Sequence, residues 1–219
     1  YHLPPRPMAK ALSIHTITAP HHNVSTGMKA TGRAPTNNAF VKYMGKDPRG
    51  DALPDQQGKN FPENGSVSLT LDALTSTTTV HFSPDYSEDS FVLDGKKHTH
   101  EADRAFEAVD VVRKLANLSL RARIESTNNF GKSRGLSSSA SGAAALAIAA
   151  STAAGLQLTE RELSILARKF SGSGSRSVPS GFVEWKPPVF DDRGTLLCDS
   201  YAETLYPPEH WAIADVIAV

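Results

Sequence analysis

Residues 66–71, SVSLTL, and 77–82, TTTVHF, alternate apolar with small polar positions and are rich in β-branched side chains. A period of two in such residues predicts strands. In FVLDGKKHT, from Phe91, Asp94-Gly95 offers a tight hairpin turn between two short arms. Three strands in succession predict an antiparallel sheet. The period then changes: Ala102, Ala105, Phe106, Val109, Val112, Leu115 and Ala116 recur at helical spacing. Acids come early in that stretch and Arg113 and Lys114 come late, as the helix dipole favours. LRARIES, residues 120–126, alternates again and returns the chain to the sheet.

SSSASGAAALAIAASTAAG, residues 137–155, is built of small helix-tolerant residues and ends in Gly155, a natural residue just past a helix end. Its scarcity of large side chains predicts a buried helix with other backbone packed close against it. Thr159 and Glu162 form a T-x-x-E capping box for a further helix through about Lys169. GFVEW, residues 181–185, reads as an apolar strand. Strands, a helix, a strand and two helices predict an α+β domain. It is expected over 28–212. Residues 1–27, basic and rich in Pro and His without clear periodicity, predict a variable or disordered leader. Residues 213–219 predict the first strand of a further unit.

Composition narrows the partners. With 39% hydrophobic and 21% charged residues in a chain of 219, the sequence can bury a real core. Lys plus Arg and Asp plus Glu both total 23, which removes any global attraction to nucleic acid or an anionic membrane. No run approaches the roughly 18 apolar residues of a membrane span. The single Cys198 excludes an internal disulfide framework and suits a reducing, cytoplasmic setting. The histidines show no metal-binding spacing.

Local chemistry is concentrated in two Gly/Ser runs. The first, GKSRGLSSSASG at 131–142, falls between a strand and a helix N-terminus, where free backbone N–H groups and hydroxyls favour an anion. Gly131 and Gly135 permit close approach to a phosphate, Ser138 or Ser139 can meet phosphate oxygen or a metal ion, and Lys132 and Arg134 add charge. A plain helix cap after a loop accounts for the same residues. The second run, SGSGSRSVPSGFVEW from Ser171, adds exposed amides, hydroxyls and the planar fork of Arg176, suited to a carboxylate or phosphate. A surface loop is the alternative, against which stands its attachment to the apolar GFVEW strand.

The stretch NNFGKSRGLSSSASGAAALA resembles the phosphate-binding motif of the GHMP kinase superfamily, and more narrowly that of the mevalonate diphosphate decarboxylases. APTNNAFVKYMGK, residues 34–46, is similar to that family's A-P-x-N-x-A-x-x-K-Y-W-G-K signature, and SGSGSRSVPSGFVEW to its S-G-S-x-x-R-S…G-G-F-V-E-W segment. The resemblance covers about 28–219. It implies a GHMP-type N-terminal domain with a mainly antiparallel sheet. It also implies ATP and Mg2+ as cofactors, and mevalonate 5-diphosphate as the substrate, which is phosphorylated at its 3-hydroxyl and decarboxylated to isopentenyl diphosphate. By the same resemblance Arg176 holds the substrate carboxylate, Asn37 orients Arg176, and Lys42 contributes charge. Tyr43, Lys46, Ser171 and Ser173 lie around the diphosphate, and Gly135, Ser137, Ser138 and Ser139 face ATP, with Ser139 toward the metal. Lys42 and Lys46 as surface lysines and Tyr43 as a core residue are the plainer alternatives.

This chain departs from the family pattern at Gly131, Lys132, Arg134, Met44 and Ser180. The family's catalytic aspartate belongs to a second half, expected beyond the ADVIAV that ends at Val219, and Asp191, Asp192 and Asp215 sit in no matching motif. A homodimer is the assembly the family implies. The competing expectations are a phosphomevalonate decarboxylase or mevalonate 3-kinase relative, and a non-catalytic phosphate-ligand-binding module.

Overall fold

The computed structural model describes residues 28–130 and 138–213. Its centre is a seven-stranded sheet. Strand β1 (Met28–Val41) runs antiparallel along β2 (Ser66–Ser83), from Met28 opposite Phe82 to Val41 opposite Val67. The other edge of β2 is shared. Its Ser76–Ser83 half pairs with β5 (Arg121–Asn128), and its Ser66–Leu69 end pairs with β6 (Phe182–Lys186). Beyond β5 lie β3 (Ser90–Leu93) and β4 (Lys96–Lys97); beyond β6, after a small separate ribbon of β7 (Val189–Phe190) and β8 (Leu196–Cys198), lies β9 (Tyr201–Tyr206).

One sequence expectation changes here. The strands expected at 66–71 and 77–82 are one continuous strand, because the chain between them bulges instead of turning. On β1 the partners step from Pro35 opposite Thr75 to Thr36 opposite Leu71, leaving residues 72–74 of β2 outside the ladder. The sheet is mainly antiparallel, as expected, with one exception. β3 and β5 pair in parallel, since α1 (Thr99–Ala116) crosses over between them. Strand β1 was not legible in advance: its inward residues Ala30, Gly32 and Ala34 are too small to give an apolar alternation.

The hairpin at Asp94-Gly95 has positive φ at both residues, 51° and 74°, as its turn requires. α1 ends at the left-handed Asn117, whose N–H returns to the Arg113 carbonyl. α2 (Ser138–Ala153) is followed by Gly155 at φ 77°, and α3 (Glu160–Phe170) carries both hydrogen bonds of the Thr159–Glu162 capping box. The core joins Val80, Phe82 and Ile124 of the sheet, Val109 and Val112 of α1 and the alanines of α2. Backbone does pack against α2. A Cβ at Gly32 would lie 2.4 Å from the Ala145 carbonyl oxygen and 2.8 Å from the Ala149 nitrogen. Among the described residues no helix is long and apolar enough to cross a membrane. The expected leader at 1–27 and, apart from Ile213, the expected strand at 213–219 lie outside the described residues.

Candidate functional site

Alternation along β2 places Ser66, Ser68 and Thr70 on one face, where Asn37 of β1 stands opposite Thr70 and Trp185 of β6 opposite Ser66. A 3-10 turn, Gly172–Ser177, lies over this face. It seats deeply because it lacks side chains where it must. A Cβ at Gly174 would come 2.9 Å from the Ala143 Cβ of α2 and 3.0 Å from the Ala167 carbonyl oxygen of α3. At Gly172 it would meet the Tyr43 hydroxyl at 3.1 Å and the Trp185 ring at 3.2 Å.

Arg176, near the end of this turn, is 6% exposed. Its Nε donates to Asn37 Oδ1 at 3.1 Å and its Nη1 to Ser66 Oγ at 2.5 Å. The Asn37 amide nitrogen donates in turn to Ser177 Oγ at 2.8 Å and to the Ser173 carbonyl at 3.3 Å. The guanidinium carbon lies 5.9 Å from the Tyr43 ring centre and 5.7 Å from that of Trp185, two rings that meet edge to face at 4.7 Å. Burial pushes the Arg176 guanidinium down to about 10, so it is charged at neutral pH. Among the described residues it forms no ion pair with an acid. A second buried arginine gives the contrast. Arg168, fully buried in α3, donates from Nη2 to Asp199 Oδ1 at 2.9 Å and to the Gln57 carbonyl at 3.0 Å. Its other donors go to the carbonyls of Ser200, at 3.1 Å, and Lys59.

The segment carrying Lys42, Tyr43 and Lys46 leaves β1 and is held by the chain that returns to β2. Asn64 accepts from the Met44 N–H at 2.9 Å and donates to the Lys42 carbonyl at 3.1 Å, while Lys46 bridges to Pro62. Lys42 and Lys46 are exposed, and Tyr43 is half-buried over Trp185. The structure therefore brings Asn37, Tyr43, Ser171, Ser173 and Arg176 together, with the two lysines on the solvent side of the same segment.

A second concavity adjoins it, a cavity of about 370 Å³ between α1, β3, β5 and the start of α2. Phe91, Leu93 and Ile124 give it apolar walls, and Ser138, Ser139 and Gly142 line its end at α2. That size lies in the usual range for a small-molecule site. Ser171 belongs to both places: it lines this cavity, and its Oγ lies 3.5 Å from Ser173 Oγ. Gly135 and Ser137 lie outside the described residues. Among the described residues no group of three or more His, Cys, Asp or Glu side chains could hold a metal.

Two contributors escaped the sequence reading. Ser66 and Ser177 complete the hydrogen bonds of Arg176 and Asn37. The signal was present in SVSLTL, whose polar positions all fall on one strand face; a polar face that is nonetheless buried, as Ser66 and Ser68 are, marks a place where polar partners converge.

A family model, the diphosphomevalonate decarboxylase-like N-terminal domain, matches residues 34–195. The chain is 38% identical over 156 residues to the phosphomevalonate decarboxylase of Haloferax volcanii, covering 71% of this chain and 46% of that protein. It is 36% identical over 200 residues to the diphosphomevalonate decarboxylase of Rattus norvegicus, covering 84% and 46%. The solved mevalonate diphosphate decarboxylase from Enterococcus faecalis superposes with a TM-score of 0.71 at 39% identity, over 82% of this chain and 52% of that one. MDDEF in complex with MVAPP, AMPPCP and magnesium gives a TM-score of 0.71 at 39% identity, over 82% and 51%. The chain thus spans about half the length of the relatives it matches.

Proposed function

Because the chain belongs to the diphosphomevalonate decarboxylase-like N-terminal domain family, we propose that it forms the ATP- and substrate-binding half of an enzyme that decarboxylates mevalonate 5-diphosphate to isopentenyl diphosphate. ATP would supply a phosphoryl group to the 3-hydroxyl, with ADP as the leaving group and the hydroxyl proton passing to a base that the other half of the enzyme would carry; the electron pair of the C–C bond to the carboxylate would then form the alkene as that phosphate and carbon dioxide leave. The observation that carries this reading is Arg176: a buried guanidinium, held at Nε and Nη1, with no acid paired to it among the described residues. A buried cation without an anion is a receptor for one, and its remaining donors match a carboxylate.

The other residues take their roles from position. Asn37 orients Arg176. Tyr43, Ser171 and Ser173 surround the substrate's phosphorylated arm, and Lys46 and Lys42 add charge from the solvent side. The cavity beside α2 suits a purine against its apolar wall, with phosphates at Ser138 and Ser139. Mg2+ would be carried by phosphate oxygens with the Ser139 hydroxyl, a mode that needs no carboxylate cluster. Phosphoryl transfer is largely positioning and charge stabilisation, which such groups supply. A homodimer and a cytoplasmic location belong to the same proposal, as do the domain limits 28–212.

In the intact protein, Arg176→Ala should lower kcat/KM for decarboxylation at least about a hundredfold while ATP affinity stays within about twofold. Near-normal turnover would overturn the carboxylate role. A second reading, decarboxylation of mevalonate 5-phosphate, is favoured by the similarity to the Haloferax volcanii protein. Product analysis with the mono- and diphosphorylated substrates separates the two, and turnover of neither would leave a binding module.

A further inference from the structure

Ser66 holds Arg176 from the side opposite Asn37. It is the first residue of β2 and is 1% exposed. Its Oγ donates to the Val41 carbonyl at 2.7 Å and accepts from Arg176 Nη1 at 2.5 Å. A hydroxyl has a single hydrogen, and a carbonyl can only accept. The hydrogen of Ser66 is therefore committed to Val41, and a lone pair faces the guanidinium. Asn37 is committed in the same way. Its amide nitrogen is engaged by Ser177 and Ser173, so Oδ1 is the atom left for Arg176 Nε. With acceptors fixed at both Nε and Nη1, the guanidinium plane cannot turn, and both N–H groups of Nη2 with the second of Nη1 are left to meet a ligand. Val41 is also the last residue of β1, directly before Lys42 and Tyr43, so one hydroxyl ties the arginine to the strand end that carries them.

We infer that Ser66 is a positioning residue that sets the plane of Arg176 for the substrate carboxylate. This rests on the reading of Arg176 as the carboxylate receptor. Removing the hydroxyl leaves Nη1 and the Val41 carbonyl without their shared partner and frees the guanidinium to tilt, while the β2 backbone keeps its pairing to Trp185.

The test compares two ligands that share a diphosphate arm and differ in the carboxylate and the 3-hydroxyl: mevalonate 5-diphosphate and isopentenyl diphosphate; the Arg176→Ala variant reports the carboxylate's share of the difference. Their affinities, with that of ATP, are measured by calorimetry on the intact wild-type protein and on Ser66→Ala, Ser66→Cys and Arg176→Ala. Ser66→Ala should weaken the carboxylate ligand about tenfold and leave isopentenyl diphosphate and ATP within about twofold. Ser66→Cys, close in shape and a weaker acceptor, should fall between. Equal weakening of both diphosphates, or none, in the alanine variant overturns the inference. If that variant does not fold, a cysteine variant with the wild-type preference overturns it equally. Should Arg176→Ala itself keep the preference for the carboxylate ligand, the receptor reading fails and the inference with it. If Arg176→Ala erases the preference and Ser66→Ala keeps it, the role of Ser66 alone is refuted.

Discussion

Arg168 and Arg176 are both buried, and what separates them is the anion. Arg168 has its carboxylate built in at Asp199, whereas Arg176 has neutral oxygens at Nε and Nη1 and no acid beside it among the described residues. Sequence reasoning reached Arg176, Asn37 and Tyr43 because each sits in a short signature whose spacing is local. Ser66 was not reachable that way: it meets Arg176 only when β2 and the 3-10 turn come together, across a separation of 110 residues. Ser139 is the residue on which the division between the two concavities can be tested. It lines the cavity beside α2 and takes no part in the hydrogen bonds that hold Arg176. Ser139→Ala should therefore weaken ATP by about three- to tenfold and change mevalonate 5-diphosphate affinity less than twofold. Equal weakening of both ligands in a calorimetric titration would count against two separate binding regions.

At the level of elements, α2 works through what it lacks. Its alanines let β1 approach at Gly32 and the 3-10 turn approach at Gly174, so the site is built on backbone packed against backbone. The composition of this helix announced that arrangement; the partners were hidden, because β1 has no large inward residues and the turn reads as a loop. Two glycines make a matched experiment. Gly174→Ala puts a methyl 2.9 Å from Ala143 Cβ and should destabilise the fold by about 1–3 kcal/mol, read from the urea midpoint. Gly142, inside α2, has open space where a methyl would go, with nothing within 4 Å, so Gly142→Ala should instead stabilise by up to about 1 kcal/mol. A destabilised Gly142→Ala would show that the helix is held by more than its packing contacts.

Across the whole molecule, Arg168 joins α3 to the 57–60 loop and to Asp199-Ser200, chain segments far apart in sequence. Burial holds the Asp199 carboxyl above its ordinary 3.8, and Arg168 pulls it back down. A carboxyl raised on folding contributes stability that is fully present below the unfolded value and is lost as pH rises through the folded one. Removing Arg168 raises the folded value further and enlarges that loss. Arg168→Leu should therefore cost about 3–5 kcal/mol near pH 7, with the deficit shrinking as the pH is lowered toward 5. Urea midpoints across that range would check it, and a deficit independent of pH would exclude a buried, uncompensated Asp199 as the cause. The overall α+β layout was legible because its periodicities are strong; the joining of two expected strands into one was not, because nothing in residues 72–74 distinguishes a bulge from a turn. That bulge decides which way Asn37 looks. In an unbroken strand Ala34 and Asn37 would face opposite sides of the sheet. Here both face α2 and the turn above it: Ala34 stands opposite Ser76, which bonds Ser141 of α2, and Asn37 bonds Ser173, Ser177 and Arg176. The exposed side chains of Asp72 and Ala73 are free to vary, but their number belongs to the step in register that sets Asn37 opposite Thr70, on the side of its arginine. Here the inheritance of the site is a matter of counting.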